Sequence, residues 1–230
     1  CSSLFSFIEA GSSDLYVVPR FNTAYLDPFA EIPTLGFLFS YFNKDGLPLE
    51  NAPGYVLRKA HRVFKEKTGG MEFYAMGELE YYVIGNKEDA FPAVDQKGYH
   101  EASPFSKFEE FRCKAMQYIA QVGGQIKYGH SEVGNFVHGD KVYEQNEIEF
   151  LPVLVTDAVD QLILGKWIIN KLAYQYGLDV TFAPKITVGK AGSGLHIHTC
   201  IMKNGENQYV ENGKITVTAK KAIAGFMTLA

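Results

Sequence analysis

Apolar and polar positions alternate in four separate stretches, the mark of β-strands whose two faces meet different surroundings. In residues 77–83, Glu78 and Glu80 fall on one face and Leu79 and Tyr81 on the other. Residues 126–133 pair His130 with Glu132, 146–150 pair Glu147 with Glu149, and 195–201 pair His196 with His198. Gly139-Asp140 reads as the turn of a hairpin joining the second and third of these strands. Shorter β-rich runs at 14–18 and 34–41, followed by an Asn43-Lys44-Asp45-Gly46 turn, occupy the first fifty residues. The helical period appears elsewhere. Pro53 opens a helix expected to reach Lys67, with Leu57, Ala60 and Phe64 as its buried face and Gly69-Gly70 as its stop. Ser103-Pro104 reads as the N-cap and first residue of a second helix, whose Phe108, Phe111, Ala115, Ile119 and Val122 form a core stripe. Thr156 is the expected cap of a third, with Asp157 and Asp160 in its first turn and Gly177 at its end. A short strand at 181–183 stops at Pro184, and Lys203-Asn204-Gly205-Glu206-Asn207 makes a turn. Ala219, Ala222, Ile223, Phe226, Met227 and Ala230 line one face of a last helix. This mixture predicts an α+β fold with a boundary between residues 52 and 53.

Composition narrows the picture. With 230 residues, 47% hydrophobic and 14% aromatic, the chain can fill a sizeable core as one large domain or two small ones. The net charge is −4, the acids are dispersed and no Lys/Arg cluster interleaves with aromatics, so no nucleic-acid partner is expected. The longest apolar helical stretch, 162–176, is interrupted by Lys166, Asn170 and Lys171, which argues against a membrane partner. Cys1, Cys113 and Cys200 have no paired spacing and read as reduced thiols of a cytoplasmic protein. The chain opens on Cys1 and closes inside a helical pattern without a cap, so a piece of a longer protein, cut at both ends, is expected.

The chemistry lies in the alternating stretches. Two carboxylates side by side on a strand repel, and an isolated Glu-x-Glu is better read as a solvated face. Four segments that each offer Glu or His at i, i+2 point instead to one sheet face lined with cation ligands. Glu78, Glu80, Glu132, Glu147 and His196 make a mostly oxygen donor set, suited to Mg²⁺ or Mn²⁺. Carboxylates around two cations can hold a nucleotide's phosphates during phosphoryl transfer. The glycine-rich stretch 187–194 lacks the order of a P-loop, since Lys190 precedes Ala191 and a strand follows. It is either a loop that approaches a ligand closely, just before His196, or a hairpin turn. No C-x-x-C or H-E-x-x-H pattern supports zinc, and Ser193 and Thr199 lack a Ser-His-Asp context. His61, His100 and His138 read as boundary or loop residues, and Trp167 as packing.

Several strings, taken in order, resemble type I glutamine synthetases along essentially the whole chain. Ser13-Asp14-Leu15 with Asp27-Pro28-Phe29 is similar to that family's S-D-[LM] and D-P-F region. Gly77-Glu78-Leu79-Glu80-Tyr81 resembles its G-x-E-x-E-[FY] strand. His130-Ser131-Glu132-Val133 followed by Gln145-Asn146-Glu147-Ile148 resembles H-H-E-V and G-Q-N-E-I. Thr181-Phe182-Ala183-Pro184-Lys185 and Gly192-Ser193-Gly194-Leu195-His196-Ile197-His198 resemble T-F-M-P-K and N-G-S-G-M-H-x-H.

The resemblance implies a partial β-grasp domain over 1–52 and an incomplete catalytic domain over 53–230, with a curved antiparallel sheet backed by helices. It implies an ATP-dependent ligase that joins glutamate and ammonia through γ-glutamyl phosphate, with two or more Mg²⁺ or Mn²⁺ ions. Glu80, Glu132 and Glu147 match ligands of one ion, and Glu78 and His196 match ligands of a second. Gly192, His196 and Glu80 match substrate contacts. His130, His198 and Cys200 match the nucleotide site. Tyr99 and Glu132 match the ammonium site, and Ser3 a residue reaching a neighbouring subunit of a homo-oligomer. The departures are specific. Ala191 stands where the family usually has Asn, Ser131 where it has a second His, and Lys127 where it has an acidic or polar residue. The interval from Glu132 to Glu147 is longer than usual. Because the expected piece ends before the family's arginine-rich segment and last metal-binding Glu, this polypeptide alone is expected to be inactive. A γ-glutamyl–amine ligase for a larger amine and a non-catalytic metal-binding relative stay open as alternatives, and a His-x-His metallohydrolase fits the Glu-rich set less well.

Overall fold

A computed structural model describes residues 14–229. The chain divides into two compact units, one running up to Phe73 and resuming at Cys200, the other Tyr74–Thr199.

The first unit begins with short strands. β1 (Tyr16–Pro19), β2 (Tyr25–Leu26), β3 (Leu35–Gly36) and β4 (Phe39–Phe42) form two antiparallel pairs, β1 with β4 and β2 with β3. The run expected at 34–41 is therefore two strands that serve different partners. Helix α1 (Pro53–Lys67) has the expected bounds. Its face differs from expectation: Leu57 and Phe64 are half-buried and Ala60 is exposed. The reason is that Phe64 borders an open apolar groove of about 830 Å³, shared with Met71, Phe73, Ile201, Ala222 and Phe226.

The second unit is built on β5 (Glu72–Asn86), a long strand rich in Tyr, Val and Ile. Residues 79–83 are buried on both faces of the pleat. Leu79, Tyr81 and Val83 face a helical layer and are essentially inaccessible. That layer is α2 (Glu109–Gln121) and, further along, α3 (Val155–Tyr176). Phe111, Ala115 and Ile119 of α2 are buried against it, as the stripe predicts. Between the helices lie β6 (Ile126–His138) and β7 (Lys141–Phe150), the two arms of a hairpin that turns at 139–140. β8 (Val153–Leu154) and β9 (Asp179–Thr181) add short pairings to β5, and β10 (Leu195–Lys203) neighbours β5 on the side away from β7. The order β10-β5-β7-β6 is antiparallel between β5 and β7 and between β7 and β6. Gly177, at φ 66°, takes the left-handed conformation that ends α3 where the sequence places its stop.

Two helix starts depart from the sequence reading. α2 begins at Glu109, five residues after Pro104, and the turn ahead of it is held by a side chain from another strand. Glu144 of β7, wholly buried, accepts hydrogen bonds from Ser106 Oγ at 2.8 Å and from the Lys107 and Phe108 amides at 2.6 and 3.3 Å. α3 begins at Val155, so Thr156 lies inside the helix and makes no cap; Leu154 leads straight from β8 into it.

The end of the chain belongs to the first unit. The last residues of β10 pair with β11 (Glu206–Asn207) through the expected turn. β12 (Val210–Glu211) and β13 (Lys214–Ile215) form a small hairpin, and α4 (Val217–Leu229) follows. On α4's predicted apolar face Ala219 is buried and Ala222 half-buried, whereas Ile223, Phe226 and Met227 are exposed.

Candidate metal and substrate site

The strand register assembles the site. Residues directly opposed in antiparallel strands present their side chains on the same face. Glu80 of β5 opposes Glu147 of β7, which opposes His130 of β6. One step along, Glu78 opposes Glu149, which opposes Tyr128. The face away from α2 and α3 therefore carries two parallel rows of ionisable side chains. β10 adds the imidazoles. His196 Nδ1 lies 3.0 Å from one oxygen of Glu78, and His198 Nε2 lies 2.6 Å from the other. His196 Nδ1 is 3.6 Å from Glu80 Oε1, and His130 Nε2 is 3.5 Å from Glu147 Oε2.

Glu132 departs from simple pairing. The register shifts between Ser131 and Asn135, so residues 132–134 bulge out of the ladder. Glu132 nonetheless acts electrostatically on Glu147 and on Tyr82. Gly134 permits this bulge, since a Cβ there would lie 2.0 Å from the Tyr82 hydroxyl.

The charges are unevenly compensated. Glu147 is pushed up to about 8, first by burial and then by Glu80, Glu78, Glu132 and Glu149. Glu149 goes the other way. Burial raises it, but hydrogen bonds from Lys127 and Tyr128 outweigh that and hold it below the ordinary carboxylate value. Lys127 Nζ is 2.6 Å from Glu149 Oε2. His130, Glu147 and Glu149 each bring a ligand atom within 4.8 Å of the others. Crowded carboxylates of which one is driven to hold its proton near neutrality, with imidazoles at the margin, fit a hard divalent cation.

The glycine-rich stretch is pinned to this face by its backbone. Gln145 Nε2 donates to Glu80 Oε2 at 2.9 Å and to the Gly192 carbonyl at 2.8 Å. The Gly194 amide donates to Glu80 Oε2 at 2.9 Å, and the Tyr82 hydroxyl to the Ala191 carbonyl at 2.8 Å. Of the two sequence readings, a hairpin turn and a loop brought close to the site, the second describes residues 191–194. Tyr99 lies on a segment running along β6. The Gly98 and His100 amides donate to Val133 and Ser131 carbonyls, and buried Ser131 Oγ donates back to the Gly98 and Glu101 carbonyls at 2.7 and 2.9 Å. The exposed Tyr99 ring stands 5.4 Å from His130, and His100 stacks on His130 at 4.3 Å.

The second unit thus brings together Glu78, Glu80, Glu132, Glu147, His130, His196 and His198, with Gly192 and Tyr99 beside them. Cys200, half-buried with its thiol pushed up by burial, falls in the other unit, and Ser3 lies outside the described residues. The sequence pattern does not mark Gln145 or Tyr82 for the site, and it places Glu149 on the face without including it in the donor set. Gln145 and Glu149 flank Glu147 at i±2, so the same alternation puts them on its face; Tyr82 shares the parity of Glu78 and Glu80 but reads as a core aromatic.

The family profile described as glutamine synthetase, catalytic domain, matches residues 50–230. Glutamine synthetase from Thermus thermophilus is 30% identical over 237 residues, covering 98% of this chain and 51% of the relative. A 3-hydroxylaminophenol mutase from Cupriavidus pinatubonensis is 25% identical over 242 residues, covering 92% of this chain and 50% of the relative. The chain spans about half the length of the curated relatives it matches. In fold it is similar to the cryo-EM structure of Plasmodium falciparum glutamine synthetase, with a TM-score of 0.86 at 17% identity over 99% of this chain and 49% of that one. A GmaS/ADP complex superposes with a TM-score of 0.81 at 16% identity, over 96% and 50%. The profile match across α1, the whole of the carboxylate face and α4, on the same α+β architecture, places the chain in the glutamine synthetase catalytic-domain family.

Proposed function

We propose that this chain carries the metal-, nucleotide- and glutamate-binding face of an ATP-dependent glutamate–ammonia ligase. The observation that supports it most is the double row Glu78/Glu149 and Glu80/Glu147/His130, flanked by His196 and His198, on a single sheet face. In this reading residues 1–52 are a partial β-grasp domain and 53–230 the catalytic part, and the parent protein works as a homo-oligomer.

Glu80, Glu132 and Glu147 would hold one cation, and Glu78 with His196 a second. Mg²⁺ or Mn²⁺ bound there supplies positive charge to the phosphates of ATP. The chain's own groups do the rest. His130 and His198 are the candidate donors to those phosphates. The Gly192 carbonyl and His196 orient glutamate, and Gln145 holds both Glu80 and that carbonyl in place. A γ-carboxylate oxygen of glutamate attacks the γ-phosphorus of ATP and ADP leaves, giving γ-glutamyl phosphate. A carboxylate acylates poorly until it carries such a leaving group. Ammonia then attacks the acyl carbon, the carbon–oxygen bond to phosphate breaks, and a proton from the attacking nitrogen passes to Glu132. Tyr99 closes the ammonium side of the site.

The test is metal-dependent phosphate release from ATP by a protein carrying this chain, with glutamate and either ammonium, methylamine or a polyamine as acceptor. Release with ammonium, accompanied by glutamine, is expected. Release with a larger amine alone would favour a γ-glutamyl–amine ligase. Mn²⁺ binding without release for any acceptor would favour a non-catalytic relative.

A further inference from the structure

Lys127 is on this face against the simple pattern of its strand. Tyr128 and His130 of β6 point toward the carboxylates, so strict alternation sends Lys127 and Gly129 toward α2. Gly129 obeys: a Cβ there would meet Met116 and Arg112 of α2. Lys127 does not. Ile126 opposes Phe150 and Tyr128 opposes Glu149, so two steps on β6 match one on β7 and Lys127 is the extra residue of a bulge. Such bulges re-aim a side chain. Here the bulge turns the ammonium onto Glu149 Oε2 at 2.6 Å, with Lys127 Nζ 5.0 Å over the Tyr128 ring. The Lys127 side chain is 44% exposed and that of Glu149 6%, so the ammonium covers a carboxylate that water hardly reaches. Glu149 is also one of the three residues whose ligand atoms lie within 4.8 Å of one another, with Glu147 and His130.

We propose that Lys127 is a built-in counter-cation that occupies the Glu149 end of this face, so that the sheet holds one divalent cation fewer than its donors allow. Without the ammonium, His130, Glu147 and Glu149 form an additional cation site. The proposal rests on the metal-binding reading above and sharpens it: the cations of this face belong at Glu78, Glu80, Glu132 and His196, with Glu147 shared, while Glu149 is already paired. A monovalent ammonium on a flexible stem differs from a metal ion in one useful way. It neutralises charge without drawing a phosphate oxygen into a fixed coordination shell.

The experiment counts Mn²⁺ ions bound per 230-residue chain, from the electron paramagnetic resonance signal of free Mn²⁺ during titration. Lys127→Met is expected to bind one ion more than the wild-type chain, with Lys127→Gln as the replacement should the Met variant not fold. Lys127→Arg keeps the charge and should keep the wild-type number. Lys127→Met combined with Glu149→Gln should lose the added ion. Equal numbers in wild type and both neutral variants overturn the proposal, as does a gained ion in Lys127→Arg or one that survives Glu149→Gln. The wild-type count reads the metal proposal itself, and the difference between variants reads the role of Lys127, so the two can fail separately.

Discussion

Glu147, among four other carboxylates, is held at a pKa of about 8, by burial first and then by Glu80, Glu78, Glu132 and Glu149, against 4.5 for an unperturbed side chain. The folded state therefore binds this proton more tightly than the unfolded chain does. Its stabilising contribution is complete below the unfolded value and is lost as pH rises through the folded one. The melting temperature of the metal-free chain is expected to fall between pH values of about 5 and 8 for this reason. Glu147→Gln should flatten that slope, and Mn²⁺ added at the upper end should restore the loss. A profile equally steep in Glu147→Gln would assign the pH dependence elsewhere. Gln145 tests the support of the same face. It is fully buried and links Glu80 to the Gly192 carbonyl. Gln145→Leu leaves both acceptors without that donor and should lower stability by about 1–3 kcal/mol in urea unfolding. At this scale the ligand candidates were legible because each pair repeats at i, i+2. Gln145 was not, because an amide has no distinctive spacing and its role depends on where a loop some 47 residues later comes to rest.

Among the elements, those with long uninterrupted periods match their sequence reading. The α2 stripe of Phe111, Ala115 and Ile119 is buried to 2% exposure or less. Ile119→Ala should therefore destabilise by about 2–5 kcal/mol, while a change at the exposed Gln117 on the same helix should stay within about 0.5 kcal/mol. The start of α2 lies later than its sequence pattern suggests, and the turn ahead of it is tied to Glu144, which is near in space and remote in sequence. Glu144→Leu removes the acceptor of Ser106, Lys107 and Phe108 and should cost on the order of 3 kcal/mol, readable as an earlier unfolding midpoint. The bulges of β6 were equally hidden, since alternation assumes a regular ladder. Gly134→Ala places a methyl group against the Tyr82 hydroxyl and should destabilise by about 1–3 kcal/mol, with the Tyr82–Ala191 bond as the first contact to shift.

At the scale of the molecule, burial is concentrated in the Tyr74–Thr199 unit. β5 and β7 lie between neighbours and carry Tyr81, Tyr82, Val83, Ile148 and Phe150 at no measurable exposure. α1 in the other unit has no buried residue at all. Amide hydrogen exchange should accordingly be slowest in β5 and β7 and faster by orders of magnitude in α1, since opening energies follow local burial. Comparable protection in α1 and β5 would show that a surface of the first unit is covered in solution. None of the helices in the described residues is long and apolar enough to cross a membrane, which agrees with the charge interruptions at Lys166 and Lys171.

The linear sequence was enough to determine the types of the main elements, the faces on which their side chains fall and the identity of the acidic and imidazole groups. These depend on periods of 2 and 3.6 residues, which are local properties of the backbone. The tertiary structure decided which strands stand side by side, hence that Glu80, Glu147 and His130 form one row, and where the ladder slips, hence that Lys127 turns onto Glu149. Register and bulges arise from pairing between distant segments, and side-chain parity alone does not choose among the pairings compatible with it.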